Sequence, residues 1–342
     1  NTDPAFVPFT FNVDDWDVRP DRRVTSMGEW AEWCQEVSAK KRAHFQGSPA
    51  DWTRRRESHW WEFAKGVVAL LNTELGLANC RPGAAVTGFS LAVRSGIPTA
   101  GGLSSSSSLV VSLIMAVNTL FDLGLGKDDV VKLGVCEHYN GTKGGTNDHA
   151  AIVHGKAGQM LLMGSLPDRV VQRAEMASSV SIFLAESNVK RSQAPSVSAK
   201  LQREGVVDPA VILARTQASY AIAALWARTK FPDFSQALQS RFDDFGLMRE
   251  LNSGGNVVFA SASDRAAAVY RVLLSMPELA SRALLREALP DCETQLDALF
   301  ASHPEPEGGY NLRGYALYGW AENERNFEFM ARSAAGDLPG ML

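Results

Sequence analysis

The sequence predicts an α+β protein of two domains, on three observations. A length of 342 residues corresponds to about two domains of ordinary size, or one large one. Between residues 87 and 163, short alternating apolar segments of strand type are interleaved with helix-length apolar runs. Beyond Leu166 the pattern becomes mostly helical, so the boundary is placed there, giving domains of 1–166 and 167–342. Hydrophobic content of 45% and charged content of 21% are those of a soluble globular chain. A net charge of −4 gives no general attraction to nucleic acid or to an anionic membrane. No apolar run reaches the roughly 18 residues of a membrane span, and the opening NTDPAFVPFTF does not read as a signal peptide. Cys34, Cys80, Cys136 and Cys292 are scattered without C-x-x-C spacing. That predicts buried free thiols in a reducing compartment, the cytoplasm.

Taken in order, residues 3–24 alternate weakly and predict one or two strands. Residues 28–45 and 50–75 read as helices. The second carries Trp60, Trp61, Phe63, Val67, Leu70 and Leu71 near a 3.6-residue period, as a core stripe does. Arg54, Arg55 and Arg56 read as a solvated face. Next comes the centre of the chain. Thr87–Val93 alternates as a strand, GIPTAGGLSSSSSLV follows over residues 96–110, and an apolar run over 109–121 reads as a helix. A strand, a small-residue loop and a helix N-terminus together form an anion cradle: backbone N–H groups and the helix dipole both favour negative charge. Gly101 and Gly102 let a bulky phosphate lie against the backbone. Ser104, Ser105, Ser106, Ser107 and Ser108 add hydroxyls. A flexible serine linker would not run straight into a helix.

Residues 128–138 read as a further helix with an acidic first turn that suits its dipole. NGTKGGTNDHAAIVHGKAG, over 140–158, predicts tight turns around a polar site, and 159–163 a strand. His138, His149 and His154 are spaced by 11 and 5 residues, not the i, i+4 pattern of two zinc ligands on one helix face. In the second half, 180–185 reads as a strand, 208–229, 266–274, 278–289 and 312–333 as helices, and 304–309 as a turn. Ser253–Gly255 reads as a turn before a strand over 256–260.

The central loop resembles the second motif of the GHMP kinases, P-x-G-x-G-L-S-S-S-A. Pro98, Gly102, Leu103, Ser104, Ser105 and Ser106 match it; Ala100 and Ser107 replace a glycine and an alanine. It is unlike the common P-loop, since no lysine follows the glycine. A second stretch resembles the galactokinase branch of that family, E-x-x-x-G-x-x-x-G-x-x-D-x-x-A-x-x-x-G-x-x-G. Glu137, Gly141, Gly145, Asp148, Ala151, Gly155 and Gly158 fall on it in register, with 11 positions (148 − 137) between the two acids. His149 stands where the family has glutamine. WWEFAKGVVALL resembles the family's W-x-x-Y-x-K-G-V. ESNVKRSQA resembles S-N-V-x-H-S-L-A, matching at Ser187, Asn188, Val189, Ser192 and Ala194, with Arg191 in place of histidine. Glu322, Arg325, Gly336 and Asp337 resemble a late helix and turn.

This resemblance implies the two-domain α+β GHMP kinase fold, a ribosomal protein S5 domain 2-like N-terminal domain followed by an α+β C-terminal domain. It implies ATP held over Pro98, Gly101, Gly102, Leu103 and Ser104 to Ser108, and Mg²⁺ held by Ser106 and Glu137. It makes Asp148 the base that takes the acceptor's proton. Gly145, Asp148, Asn188 and Ser198 would border the substrate, Ser198 standing where galactokinases have a sugar-contacting tyrosine. The implied reaction is phosphorylation of the C1 hydroxyl of galactose, or of a related sugar acid such as galacturonate, by a cytoplasmic monomer or homodimer. Two alternatives stay open: another GHMP small-molecule kinase, against which ESNVKRSQA argues, and a galactokinase-like sugar sensor. The family's first motif would precede Asn1 and its third would follow Leu342, so we expect the natural chain to continue at both ends.

Overall fold

The computed structural model describes residues 9–45, 60–98, 103–140, 146–164, 169–177, 179–185, 209–231, 262–301, 303–337 and 339–341. These fall into two compact units, Asn1–Ala199 and Lys200–Leu342.

In the first unit, α1 (Met27–Ala43) is set by its own ends. Ser26 and Glu29 form a reciprocal capping box, and Lys40, Lys41 and Arg42 lie at the negative end of the dipole. Trp30, Trp33, Cys34 and Val37 recur at helical spacing and are buried. α2 (Trp61–Leu71) is buried from Ala64 to Leu71, and the short α3 (Glu74–Leu77) is capped by Thr73. α4 (Ser105–Phe121) buries Val110, Val111, Leu113, Ile114 and Val117, and α5 (Lys127–Leu133) buries Val130, Val131 and Leu133. A 3₁₀ segment, Gly134–Asn140, continues α5 and leads towards α6 (Asn147–His154). β1 (Gln159–Gly164) pairs antiparallel with β2 (Arg169–Glu175), from Gln159 opposite Glu175 to Gly164 opposite Arg169, with a bulge at Leu162/Met163.

The 3₁₀ segment is the hub of this unit. α1, α2 and α4 all pack against it. Trp30 Nε1 donates to the Val135 carbonyl at 3.0 Å. At Gly66 on α2, an added Cβ would stand 2.7 Å from the Cys136 carbonyl oxygen and 2.9 Å from Tyr139 Cβ. Only hydrogen fits there, which explains a glycine inside an otherwise apolar helix. Beside it lies a buried ionic network. Asp17 Oδ2 is 2.8 Å from Lys65 Nζ and 3.0 Å from Lys41 Nζ. Lys41 also reaches Glu62 at 2.5 Å and the Tyr139 hydroxyl at 2.7 Å, and Tyr139 donates to the Asp17 carbonyl at 2.6 Å. Lys65 further lies over the rings of Phe9 and Phe11.

The second unit is helical: α7 (Pro209–Lys230), α8 (Ala262–Ser275), α9 (Arg282–Ala288), α10 (Glu293–Phe300) and α11 (Leu312–Ala335). Its core gathers Ile222, Ala223, Val269, Met276, Leu285, Leu296, Tyr310 and Leu312. Arg313 fastens the end of α8, donating from Nε and Nη2 to the Met276 carbonyl at 3.1 and 2.7 Å. Arg282 donates to the Phe300 and His303 carbonyls and to the Tyr310 hydroxyl.

Helices and one antiparallel ribbon are compatible with the α+β class. Several expected elements differ. Residues 87–93 and 180–185 are not strands, and neither are 9–24, which form turns from Asn12 onward. Alternation marks a two-faced segment, but a strand also needs a partner ladder for its N–H and C=O groups. Among the described residues β1 and β2 alone form one. Ile182, Phe183 and Leu184 are instead 73–89% exposed. The helix expected over 128–138 ends at Leu133 and tightens into the 3₁₀ segment. The helix expected over 278–289 is shorter, from Arg282 to Ala288, and that expected over 50–75 is described from Trp61 to Leu71. Arg54 to Arg56, Ser253–Gly255 and the strand expected over 256–260 lie outside the described residues. β2 belongs to the first compact unit.

Candidate active site

The serine run begins α4. Ser104 precedes the helix in the left-handed region, at φ 53° and ψ 42°, and its side chain makes no capping hydrogen bond. Among the described residues the first-turn N–H groups therefore have no side-chain cap, and the dipole puts partial positive charge there. An anion fits such an end. Pro98 and Leu103 flank the loop, and Leu103 is exposed. Ser105, Ser106 and Ser108 are half-buried, whereas Ser107 points into the unit and is 4% exposed.

Ser107 Oγ donates to Glu137 Oε2 at 3.1 Å. Glu137 sits on the 3₁₀ segment and is buried. From the first turn of α6, the His149 ring brings Nε2 to 3.1 Å from the same oxygen. The approach is close but falls short of full hydrogen-bond geometry. Three elements, α4, the 3₁₀ segment and α6, thus converge on one carboxylate. Burial pushes the Glu137 carboxyl up, but His149, Ser106 and Ser107 outweigh it and hold it below the usual carboxylate range. The group is an anion at neutral pH.

Glu137 Oε1 is buried, without a hydrogen-bond partner among the described residues. A buried carboxylate oxygen left unpaired is costly unless something fills its place. A hard divalent cation fits this donor set, with one free carboxylate oxygen and serine hydroxyls alongside. Mg²⁺ takes only one or two protein ligands where phosphates supply others. Among the described residues, no cluster of three or more His, Cys, Asp or Glu has metal-holding geometry.

Asp148 lies beside His149 in the first turn of α6, with its side chain exposed to solvent, where it can accept a proton. His154, at the far end of α6, places Nε2 3.1 Å from Asp128 Oδ1 and ties α6 to α5. The structure thus brings Ser107, Glu137 and His149 together, with Ser106 in the same polar shell and Asp148 on the adjoining helical position. Ser107, which the motif did not single out as a metal ligand, donates to Glu137, and Ser106 also helps to hold that carboxyl low. Gly101, Gly102, Gly145, Asn188 and Ser198 lie outside the described residues. Sequence reasoning missed the ring contact of His149 and the buried Lys65. A lysine inside the apolar stripe of α2 was the available signal for the latter.

Residues 62–156 match the family model described as the GHMP kinases N terminal domain. That span takes in nearly all of α2 and the whole of α4, the 3₁₀ segment and α6, the elements that build the site. The chain is also similar to curated galactokinases. The protein of Exiguobacterium sibiricum is 28% identical over 187 residues, 54% of this chain and 46% of that one. The protein of Clostridium perfringens is 30% identical over 115 residues, 33% of this chain and 28% of that one. The protein of Lactiplantibacillus plantarum is 38% identical over 78 residues, 22% and 20% of the two chains. In each case the chain spans less than half the length of the curated relative it matches.

Proposed function

We propose that this protein is an ATP-dependent sugar kinase of the galactokinase type, acting on the C1 hydroxyl of galactose or a related sugar acid such as galacturonate. The observation that carries the reading is the buried Glu137 carboxylate, ionised, served on one oxygen and, among the described residues, open on the other, beside a serine-rich helix N-terminus. Phosphoryl transfer needs little covalent work from a protein; it needs charge neutralised, groups positioned and one proton accepted. The N–H groups and hydroxyls at the start of α4 would hold the phosphates, with Pro98 to Ser108 forming the nucleotide site. Glu137 and Ser106 would hold Mg²⁺, which when bound neutralises the developing phosphate charge. Asp148 would take the proton of the C1 hydroxyl. Its oxygen then bonds to the γ-phosphorus as the bond to the β,γ-bridging oxygen breaks, leaving ADP. Gly145, Asp148, Asn188 and Ser198 would face the sugar.

In the same reading, residues 1–166 form the nucleotide-binding domain and 167–342 the second domain of a cytoplasmic monomer or homodimer that binds neither membrane nor nucleic acid. Among the described residues no helix is long and apolar enough to cross a membrane.

The test is ADP release, coupled to a dye, across a panel of hexoses and hexuronic acids. Sugar-dependent turnover that falls by about 10²–10⁴-fold in Asp148→Ala, with nucleotide affinity kept, supports the reading. Sugar binding without turnover in the wild type would make the protein a sensor; failure to bind nucleotide would end the proposal.

A further inference from the structure

The contact between His149 and Glu137 brings one more residue into the site. We infer that His149 is a positioning residue: seated against Gly134, it holds the Glu137 carboxylate by Oε2 and so keeps Oε1 as the oxygen offered to a divalent cation. This rests on the kinase reading of the site and adds a residue to it.

Four observations support the inference. The His149 side chain is 2% exposed, so its ring occupies one packed place. That place exists because residue 134 is glycine. An added Cβ there would lie 2.5 Å from the ring's Cδ2, 2.6 Å from Cγ and 2.9 Å from Nε2. Any side chain at 134 would therefore drive the imidazole off the carboxylate, since distances below 3 Å force movement. Ser107 and His149 both address Oε2, from different helices, at 3.1 Å each. The other oxygen has no hydrogen-bond partner among the described residues.

A buried Glu side chain otherwise has three torsions to settle. Two contacts on one oxygen settle them, so the ligand need not be ordered when the metal arrives. Because His149 adjoins Asp148 on the first turn of α6, the same seat also fixes where that turn lies against the 3₁₀ segment. Groups that orient a metal ligand typically change affinity by about 10–100-fold when removed.

The experiment measures ADP affinity of the full chain by calorimetry, with and without Mg²⁺, and reads the ratio of the two dissociation constants. His149→Ala and Gly134→Ala are expected to lower that ratio about tenfold or more while metal-free ADP affinity stays within about twofold. His149→Gln, which keeps an N–H donor, is expected to restore most of it; a purely packing role would not distinguish an amide from an apolar residue of like size, so His149→Leu is the paired control. Should Gly134→Ala fail to fold, the three His149 variants decide. An unchanged ratio in folded His149→Ala overturns the positioning role and leaves the kinase reading standing. A wild-type chain that binds ADP without any gain from Mg²⁺ overturns the metal role of Glu137, and this inference with it.

Discussion

Replacing Asp17 by Asn should unfold the first unit more readily than any other single change in its ionic network. Asp17 Oδ2 is the shared acceptor of Lys65 at 2.8 Å and Lys41 at 3.0 Å. Lys41 keeps Glu62 and Tyr139 when Asp17 is neutralised; Lys65 keeps two aromatic rings. Lys65 is only 7% exposed, so the change strands a buried cation. Breaking such a pair costs about 3–5 kcal/mol, which for a unit of this size lowers the melting temperature by on the order of 10 °C. Lys65→Met should cost less, under about 2 kcal/mol, because Asp17 retains Lys41 and an apolar chain joins Phe9 and Phe11. The double variant should be more stable than Asp17→Asn alone, since it removes the stranded charge. Denaturant melts followed by the fluorescence of Trp30 and Trp33 measure all four corners of the cycle. Costs that simply add, to within about 0.5 kcal/mol, would refute the reasoning. Acid adds a second readout. Burial pushes the Asp17 carboxyl up, but Lys65 and Lys41 outweigh it and hold it low. A carboxyl with a depressed folded pKa contributes stability that is complete above its unfolded value, about 3.9, and is lost as pH falls through the folded one. That acid limb should shrink in Asp17→Asn.

Three further outcomes are expected. Ser104→Gly should stabilise the first unit by about 0.5–1 kcal/mol, because a serine at φ 53° carries a left-handed cost that glycine escapes; a denaturant melt that shows a loss would contradict this. Burial raises the thiols of Cys34, Cys136 and Cys80, but Cys80 alone of the four cysteines is partly open, so a thiol reagent should label Cys80 first in the native protein, as peptide mapping would show. In the second unit, burial and then Arg282 and Arg215 depress the His303 imidazole. The unfolded chain then takes up the proton first, so stability falls as pH drops below about 6.5. His303→Gln should flatten melting temperatures between pH 7 and pH 5.

How much of this was legible depended on whether a feature is local. α1, α4, α7, α8 and α11 announce themselves through helical period and end signals such as Ser26 with Glu29, all set within a few residues. The 3₁₀ segment could not be read so. Val130 to His138 keeps a helical look, and it is the close seat of the His149 ring at Gly134 that marks where the α-helix stops. The alternating segments at 87–93 and 180–185 show the limit of a period-two pattern, which names a face but no neighbour. β2 was missed for the opposite reason: RVVQRAE is polar, and its pairing with β1 defines it. Within the candidate site, motif spacing picked out Glu137 and Asp148. It could not say that Ser107, 30 residues from Glu137, would bond it, nor that a histidine in a glutamine's place would reach the same oxygen.

Gly66 carries a last implication, for anyone who would retune this protein by mutation. Its missing side chain is what lets one helix lean directly on the peptide that precedes Glu137, since a Cβ there would clash with the Cys136 carbonyl and with Tyr139. Enlarging that residue would lever the acid outward without touching it. Attempts to retune the site should therefore treat this position, which offers it no side chain, as a depth gauge, to be left alone or changed on purpose.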